Sequence, residues 1–509
     1  MILNEQGLTN RAEWEEKGYA LPQFDRAAMV AKTKAAPTWL HFGAGNIFKA
    51  FQAHAAQHLL DAGETDTGII AAERREKKPQ TSDNYTIKVT LKTDGTVEKT
   101  VIGSIAETVY LYGNEARLKE IFENPSLQMV SFTITEKGYS LVDGKGDYLP
   151  DVVADLAAKP EAAQSYMGRL AALLYARFQA NAAPIAMVSM DNCSHNGDKL
   201  KAAITTFARA WGNADFQGYL GEQVSFPWSM IDKITPGAAP VVAALLAEDG
   251  LPEGTPFVNA EECEYLVIED DFPNGRPPLE KAGVYMTDRE TVDKAERMKV
   301  CTCLNPLHTA LAVYGCLLGY PQVAKELGDA QLCELVRRIG YQEAMPVVAD
   351  PGIIRPEDFL DQFLNRRVCN LFLPDTPQRI ATDTSQKLPI RFGGTIKAYL
   401  ASDALDVSDL KLIPLVFAGW LRYLMAIDDE GKPFELSPDP LLDVVCPYVA
   451  GYQLGDTPDA EALKALLRNE TIFGVDLVEA GLAERVIAYF AELIAAPGAV
   501  RATLKKYVG

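Results

Sequence analysis

The chain has 509 residues, 48% hydrophobic and only 23% charged, so it can bury large cores in about two or three domains and is not a disordered polymer. Its 49 basic and 69 acidic residues give a net charge of −20 with no long basic run, which argues against nucleic acid or an anionic membrane as partner. An anionic ligand would need a local cationic pocket.

Eight cysteines (Cys193, Cys263, Cys301, Cys303, Cys316, Cys333, Cys369 and Cys446) stand without C-x-x-C spacing, so neither a disulfide framework nor a zinc ribbon is expected. The first 19 residues, MILNEQGLTNRAEWEEKGY, carry acids where a signal peptide needs an apolar core. The apolar runs near 309–320 and 412–421 are too short to span a bilayer. The expectation is a soluble cytoplasmic protein, monomeric or a small homo-oligomer.

In chain order, a polar lead gives way at 38–42 to a buried strand that runs into Gly43-Ala44-Gly45 and a helix from Asn46 to about Leu60. A second apolar strand, 67–72, ends at Glu73. This is the order of a dinucleotide fold. Glycines allow a tight turn and close approach of the backbone to a pyrophosphate, and an acid after the second strand accepts from the ribose diol. Gly43, Gly45, Asn46, Ile47, Phe48 and Glu73 are therefore the expected cofactor contacts, with Phe48 standing where a third glycine is usual. Glu73 repels a 2′-phosphate and favours NAD(H), although Arg74 and Arg75 beside it could pair with one.

Segments 127–135 and 183–189 read as further buried strands, each followed by polar residues where parallel sheets present ligands. Strand and helix alternate to about residue 240. The breaker-rich stretch 270–278 then marks a boundary, giving an α/β Rossmann-type domain over 1–284 and a mainly α-helical substrate and catalytic domain over 285–509. Helices are expected at 309–320, 321–340, 410–426 and 460–496.

Residues 299–308, Lys-Val-Cys-Thr-Cys-Leu-Asn-Pro-Leu-His, set an amine, a carboxamide and an imidazole in an otherwise apolar stretch. Such groups can take a proton from a carbinol and hold the resulting oxyanion. Asn305 and His308 share a helical face, whereas Lys299, six residues before Asn305, falls well off it on a regular helix. Cys301 and Cys303 read as core residues, since no further Cys or His completes a metal set.

Seven segments together resemble the polyol-specific long-chain dehydrogenases, which include mannitol 2-dehydrogenase and the fructuronate and tagaturonate reductases. They are 41–50, 133–139, 189–197, 226–236, 267–277, the Lys299…Asn305…His308 helix, and 379–389. The resemblance covers most of the chain. It implies a Rossmann-type N-terminal domain, a helical C-terminal domain, and metal-independent hydride transfer with NAD(H) in a cleft between them. By match of position, Lys299 is the acid/base, and Asn192 and Asn305 hold the substrate oxygen. His308, Asp232, Arg379 and Lys387 position the sugar chain, and Glu136 links to proton exchange with solvent.

Two departures stand out. Relatives space the lysine five residues before the asparagine; here the spacing is six, and a single π-bulge would absorb the extra residue. Pro306 suits a first helical turn, so the helix is also able to restart at Asn305. A buried lysine can deliver a proton only if its pKa, about 10.4 in water, is lowered by burial or nearby cations, and Arg379 and Lys387 could supply that field.

The resulting expectation is interconversion of a hexuronate ketone and its hexonate alcohol, fructuronate and mannonate, favoured by the cations Lys299, Arg379 and Lys387. A hexitol dehydrogenase of the mannitol 2-dehydrogenase kind is the alternative, followed by an NAD-using epimerase and a nicotinamide-sensing regulator.

Overall fold

The computed structural model describes residues 1–76, 82–373 and 375–509. The chain divides into two compact units, Met1–Asp293 and Lys294–Gly509.

Six parallel strands form the central sheet of the first unit: β1 (Trp39–Phe42), β2 (Ile69–Glu73), β3 (Ile105–Tyr110), β4 (Met129–Phe132), β5 (Ile185–Ser189) and β6 (Val224–Ser225). Their spatial order is β3-β2-β1-β4-β5-β6. The order reverses at β1, which pairs with β2 on one side and β4 on the other, and a doubly wound sheet binds ligands at such a switch point. Side chains alternate across the sheet. Leu40, Phe42, Val130 and Phe132 pack into one apolar layer, and Trp39, Ile69, Ala71 and Met129 into the other. Burial on both faces explains why these strands read as unbroken apolar runs.

Two smaller sheets complete the unit. Thr86–Leu91 and Val97–Ile102 form an antiparallel hairpin flanked by Tyr19–Ala20 and Phe257–Ala260. Ser229–Asp232, Tyr265–Glu269 and Tyr285–Thr287 make a three-stranded sheet. Tyr285–Thr287 pairs with Tyr265–Glu269, so it belongs to the first unit, and the division falls later than the 284/285 point expected from sequence.

The second unit is helical. Its core is Asn305–Leu317 packed on Leu412–Tyr423, every residue of which is buried. Tyr314 donates its hydroxyl to the Leu415 carbonyl at 2.8 Å. A Cβ at Gly419 would meet the Tyr314 ring at 2.7 Å, so glycine there permits the close crossing. The single helix expected over 460–496 is instead Ala460–Leu467, Glu470–Phe473 and Ala483–Leu493. Gly474 and Gly481, at φ of +80° and +74°, end turns in the left-handed region that no continuing helix permits. Expected 321–340 is also split, into Val323–Glu326 and Ala330–Arg338, with Asp329 capping the second piece.

Candidate active site

In the first unit, β1 delivers Gly43 at φ +95°, where a Cβ would sit 2.2 Å from the Thr133 carbonyl oxygen. Only glycine fits that turn. At Gly45 the reason differs: a Cβ would touch nothing closer than the Gly43 carbonyl at 3.9 Å. The protein itself tolerates a side chain there, and glycine instead leaves an open cradle at the head of a helix. A cavity of about 710 Å³ opens at this point, lined by Gly43, Gly45, Glu73 and Thr133 together with Lys49 and Arg74. These residues fit a dinucleotide: glycine backbone and a lysine for the pyrophosphate, a carboxylate at the end of β2 for a diol.

Asn46, Ile47 and Phe48 sit differently. Asn46 reaches the Pro236 carbonyl through its amide at 3.3 Å, and Ile47 packs against the core. Phe48 is fully buried and stacks on His41 at 4.1 Å between ring centroids, so its side chain holds the turn from beneath. The helix opens at Asn46, as expected, and passes through a π-helical stretch, Phe48–Gln52, before α1 (Ala53–Asp61). His41 is bound at both ring nitrogens, by Ser131 at 2.7 Å and Thr133 at 2.9 Å, and burial lowers its pKa to about 3. It is a neutral core histidine.

The carboxyl ends of β4 and β5 bring the next predicted residues forward. Glu136 is exposed and ion-paired with Lys199, and Asn192 is exposed just beyond β5. Next to Asn192 lies Asp191, which the sequence offers as part of a polar strand end and to which it gives no role of its own. Its carboxylate accepts from the backbone N–H of Ile134 at 2.9 Å and Thr135 at 2.8 Å, and from the Tyr139 hydroxyl at 2.5 Å. Burial raises its pKa while these bonds oppose the rise. Asp191 thus ties the Ile134–Thr135 edge of the cofactor cavity to the strand that leads into Asn192. Asp232 ends its strand and is buried.

In the second unit, residues Met298–Cys303 form a π turn, closed by the Leu304 N–H donating to the Lys299 carbonyl at 3.2 Å. Leu304 then leaves helical geometry at φ −130°, and α2 (Asn305–Leu317) starts afresh with Pro306 in its first turn. Both devices anticipated from the six-residue spacing are therefore present. Lys299 is buried, at 3% exposure.

His308 lies one turn into α2 with its ring edge-on to Phe363, at 5.1 Å. Burial takes its pKa down to about 4; Asp375 opposes this, and Arg391, Arg367 and Arg379 reinforce it. The imidazole is neutral at physiological pH. Lys387 lies on α3 (Thr384–Arg391), donating to the Ile380 carbonyl at 3.1 Å and to the Thr382 carbonyl. Burial first, then the positive charge of Arg391, lowers its pKa to about 8, with Arg379 adding to the shift and Asp383 and Asp439 opposing it. Arg379 is 70% exposed and forms a two-point ion pair with Asp375, one contact of which is Nε to Oδ1 at 2.6 Å.

Arg391 escaped the sequence reading. Its Nη1 donates to the Asn305 carbonyl at 3.2 Å and the Thr309 hydroxyl at 2.6 Å, which pins the start of α2 to the end of α3. The signal available was its spacing of four from Lys387, which puts two cations on one helical face. Among the described residues, no group of three or more His, Cys, Asp or Glu is placed to hold a metal. The stretch Arg289–Leu317 is long and apolar enough to cross a membrane by length and composition, yet 78% of its apolar window is buried inside the protein, as in a core helix.

Known proteins resemble this chain over nearly its whole length. D-mannonate oxidoreductase of Thermotoga maritima is 49% identical over 100% of this chain and 99% of its own. Mannitol 2-dehydrogenase of Pyrenophora tritici-repentis is 30% identical over 86% of this chain and 76% of its own. Among solved structures, the ternary complex of Pseudomonas fluorescens mannitol 2-dehydrogenase with NAD and D-mannitol matches at 28% identity with a TM-score of 0.75, covering 99% of both chains. A D-sorbitol dehydrogenase matches at 25% identity with a TM-score of 0.85, over 99% of this chain and 100% of that one. Residues 37–281 match the mannitol dehydrogenase Rossmann domain and 291–494 the mannitol dehydrogenase C-terminal domain, so a glycine cradle on one unit and a Lys-Asn-His segment on the other mark a chain that belongs to the mannitol dehydrogenase family of oxidoreductases.

Proposed function

We propose that the protein is an NAD(H)-dependent oxidoreductase that interconverts D-mannonate and its ketone, fructuronate, with Lys299 as acid/base. The substrate assignment follows the full-length 49% relative named for mannonate. The observation that carries the mechanism is the π turn Met298–Cys303: it absorbs one residue, so the six-residue step from Lys299 to Asn305 becomes equivalent to the five-residue step of the relatives.

When bound, the nicotinamide supplies or accepts the hydride. The chain's own residues do the rest. Gly43, Gly45 and Lys49 seat the pyrophosphate, and Glu73 selects the ribose diol over a 2′-phosphate. Reduction of the ketone leaves an alkoxide, whose charge the Asn305 carboxamide stabilises by hydrogen bonding. Lys299 donates the proton in reduction and receives it in oxidation. The neutral His308 hydrogen-bonds a substrate hydroxyl without adding charge.

A reducing cytoplasm suits the eight cysteines, which stand in the sequence without C-x-x-C spacing. The test is NAD reduction by D-mannonate, followed through the near-ultraviolet absorbance of reduced nicotinamide, with stoichiometric turnover of free cofactor. No turnover with mannonate alongside activity on D-mannitol would establish the second reading, a hexitol dehydrogenase, which the mannitol 2-dehydrogenase relatives favour. Epimer formation without net cofactor reduction would instead show an epimerase.

A further inference from the structure

The sequence offers Lys299, Arg379 and Lys387 as cations for the carboxylate, but Lys299 is the acid/base and the structure has already filled the Arg379 fork. Its Nε and Nη2 both face Asp375, and its side chain is 70% exposed. Lys387 spends two donors on main-chain carbonyls, those of Ile380 and Thr382. Neither presents a ready fork to an incoming anion.

Arg391 does. It ends α3 one turn after Lys387, on the same face, and packs against the first turn of α2, the turn that carries Asn305, His308 and Thr309. Among the described residues, only its Nη1 is engaged, on the Asn305 carbonyl and the Thr309 hydroxyl. The Nε and Nη2 donors have no hydrogen-bond partner among the described residues, and no carboxylate there forms an ion pair with the guanidinium. Those two groups make the edge that accepts a carboxylate in a two-point fork. A half-buried guanidinium without a counter-ion is costly unless a ligand supplies the charge, and burial does lower its pKa to about 10. His308 and Lys387 both feel its charge, which places it within the same polar cluster.

We propose that Arg391 is the residue that recognises the carboxylate of the sugar acid, through its Nε and Nη2 edge, while its Nη1 holds the Asn305 turn in place. This rests on the hexuronate reading above. Lys387 adds positive charge from one turn away, and Arg379 serves Asp375 instead.

The experiment compares wild type, Arg391→Lys and Arg391→Met on mannonate and on mannitol with NAD. The wild-type preference for mannonate is measured first, and its absence would overturn the hexuronate reading itself, independently of Arg391. Given that preference, Arg391→Met lowers the mannonate-to-mannitol ratio of kcat/KM by roughly 100-fold, with most of the change in KM for mannonate. Arg391→Lys, which keeps the charge and loses the fork, falls between. A purely structural role would lower kcat/KM for both substrates together and leave the ratio at the wild-type value in both variants, and that result would overturn the proposal. Where mannitol turnover is too slow for a ratio, the KM of mannonate decides: a rise of less than about threefold in Arg391→Met overturns it.

Discussion

The Leu304 amide donates to the Lys299 carbonyl at 3.2 Å, a five-residue step that an α-helix does not make. That bond puts the lysine in a π turn directly before the helix that carries Asn305 and His308, and π turns inside helices concentrate at functional sites. Lys299→Ala is expected to abolish turnover while leaving the affinity for NADH nearly unchanged, since the amine acts at the carbinol. Steady-state kcat beside a fluorescence titration of NADH checks it, and near-normal kcat at neutral pH would move the acid/base role to another group.

Glu73 closes β2 at the edge of the cofactor cavity, with Arg74 lining the same cavity. Glu73→Gln removes the charge that repels a 2′-phosphate and leaves the arginine to attract it. The ratio of kcat/KM for NADP relative to NAD is expected to rise by about tenfold or more, the equivalent of about 1.4 kcal/mol. A wild-type enzyme that already prefers NADP would contradict the assignment.

Asp191 satisfies two backbone amides and the Tyr139 hydroxyl, and one of those amides belongs to Thr135, held at φ +66° in the left-handed region. Asp191→Ala takes the acceptor from the Ile134 and Thr135 amides in a partly buried setting, while Tyr139 keeps the Ser189 hydroxyl as partner, at a cost of about 2–3 kcal/mol. Because Ile134 lines the cofactor cavity, NADH affinity should fall along with the Tm. Calorimetry and NADH titration of the same sample separate this from a change in chemistry. Asp191→Ala with an unaltered Kd for NADH would show that the loop holds its shape unaided.

Glu326 is fully buried in the second unit, and neither of its carboxyl oxygens has a hydrogen-bond partner among the described residues. Burial, with Asp329 and Asp375 nearby, pushes its pKa up to about 9. The folded protein therefore keeps a proton that the unfolded chain releases above its ordinary value of 4.5. Its contribution is fully present below that value and is lost as pH rises toward about 9. Between about pH 5 and pH 8, wild type should lose on the order of 2–4 kcal/mol relative to Glu326→Gln, whose amide does not titrate. Denaturant melts of both proteins at the two pH values measure it. Parallel pH dependences would mean that Glu326 is ionised in the fold.

Much of the first unit was legible because its features are local. The Gly43-Ala44-Gly45 turn, the apolar strands before and after it, and Glu73 at a strand end each depend on neighbouring residues, and the central sheet follows from them. The hairpin Thr86–Leu91 and Val97–Ile102 was not legible. Its second strand mixes charged and apolar residues, and its place is set by pairing with distant Tyr19–Ala20 and Phe257–Ala260. In the second unit the π turn could be inferred from one unusual spacing, whereas Gly474 and Gly481 broke a helix whose apolar period runs on past them. Arg391 was hidden for a further reason. Its fixed partners are the main-chain carbonyl of Asn305 and the hydroxyl of Thr309, and a main-chain acceptor leaves no mark in a sequence.

The most direct measurement is kcat/KM with NADH for fructuronate and for fructose, in the same buffer and at the same ionic strength. A site that pairs a half-buried cation with the sugar carboxylate leaves that cation unpaired when a hydroxymethyl group arrives, so fructuronate should be preferred by roughly 100-fold or more. Equal values, or reduction of fructose alone, would contradict the hexuronate account and make the protein a mannitol-forming dehydrogenase.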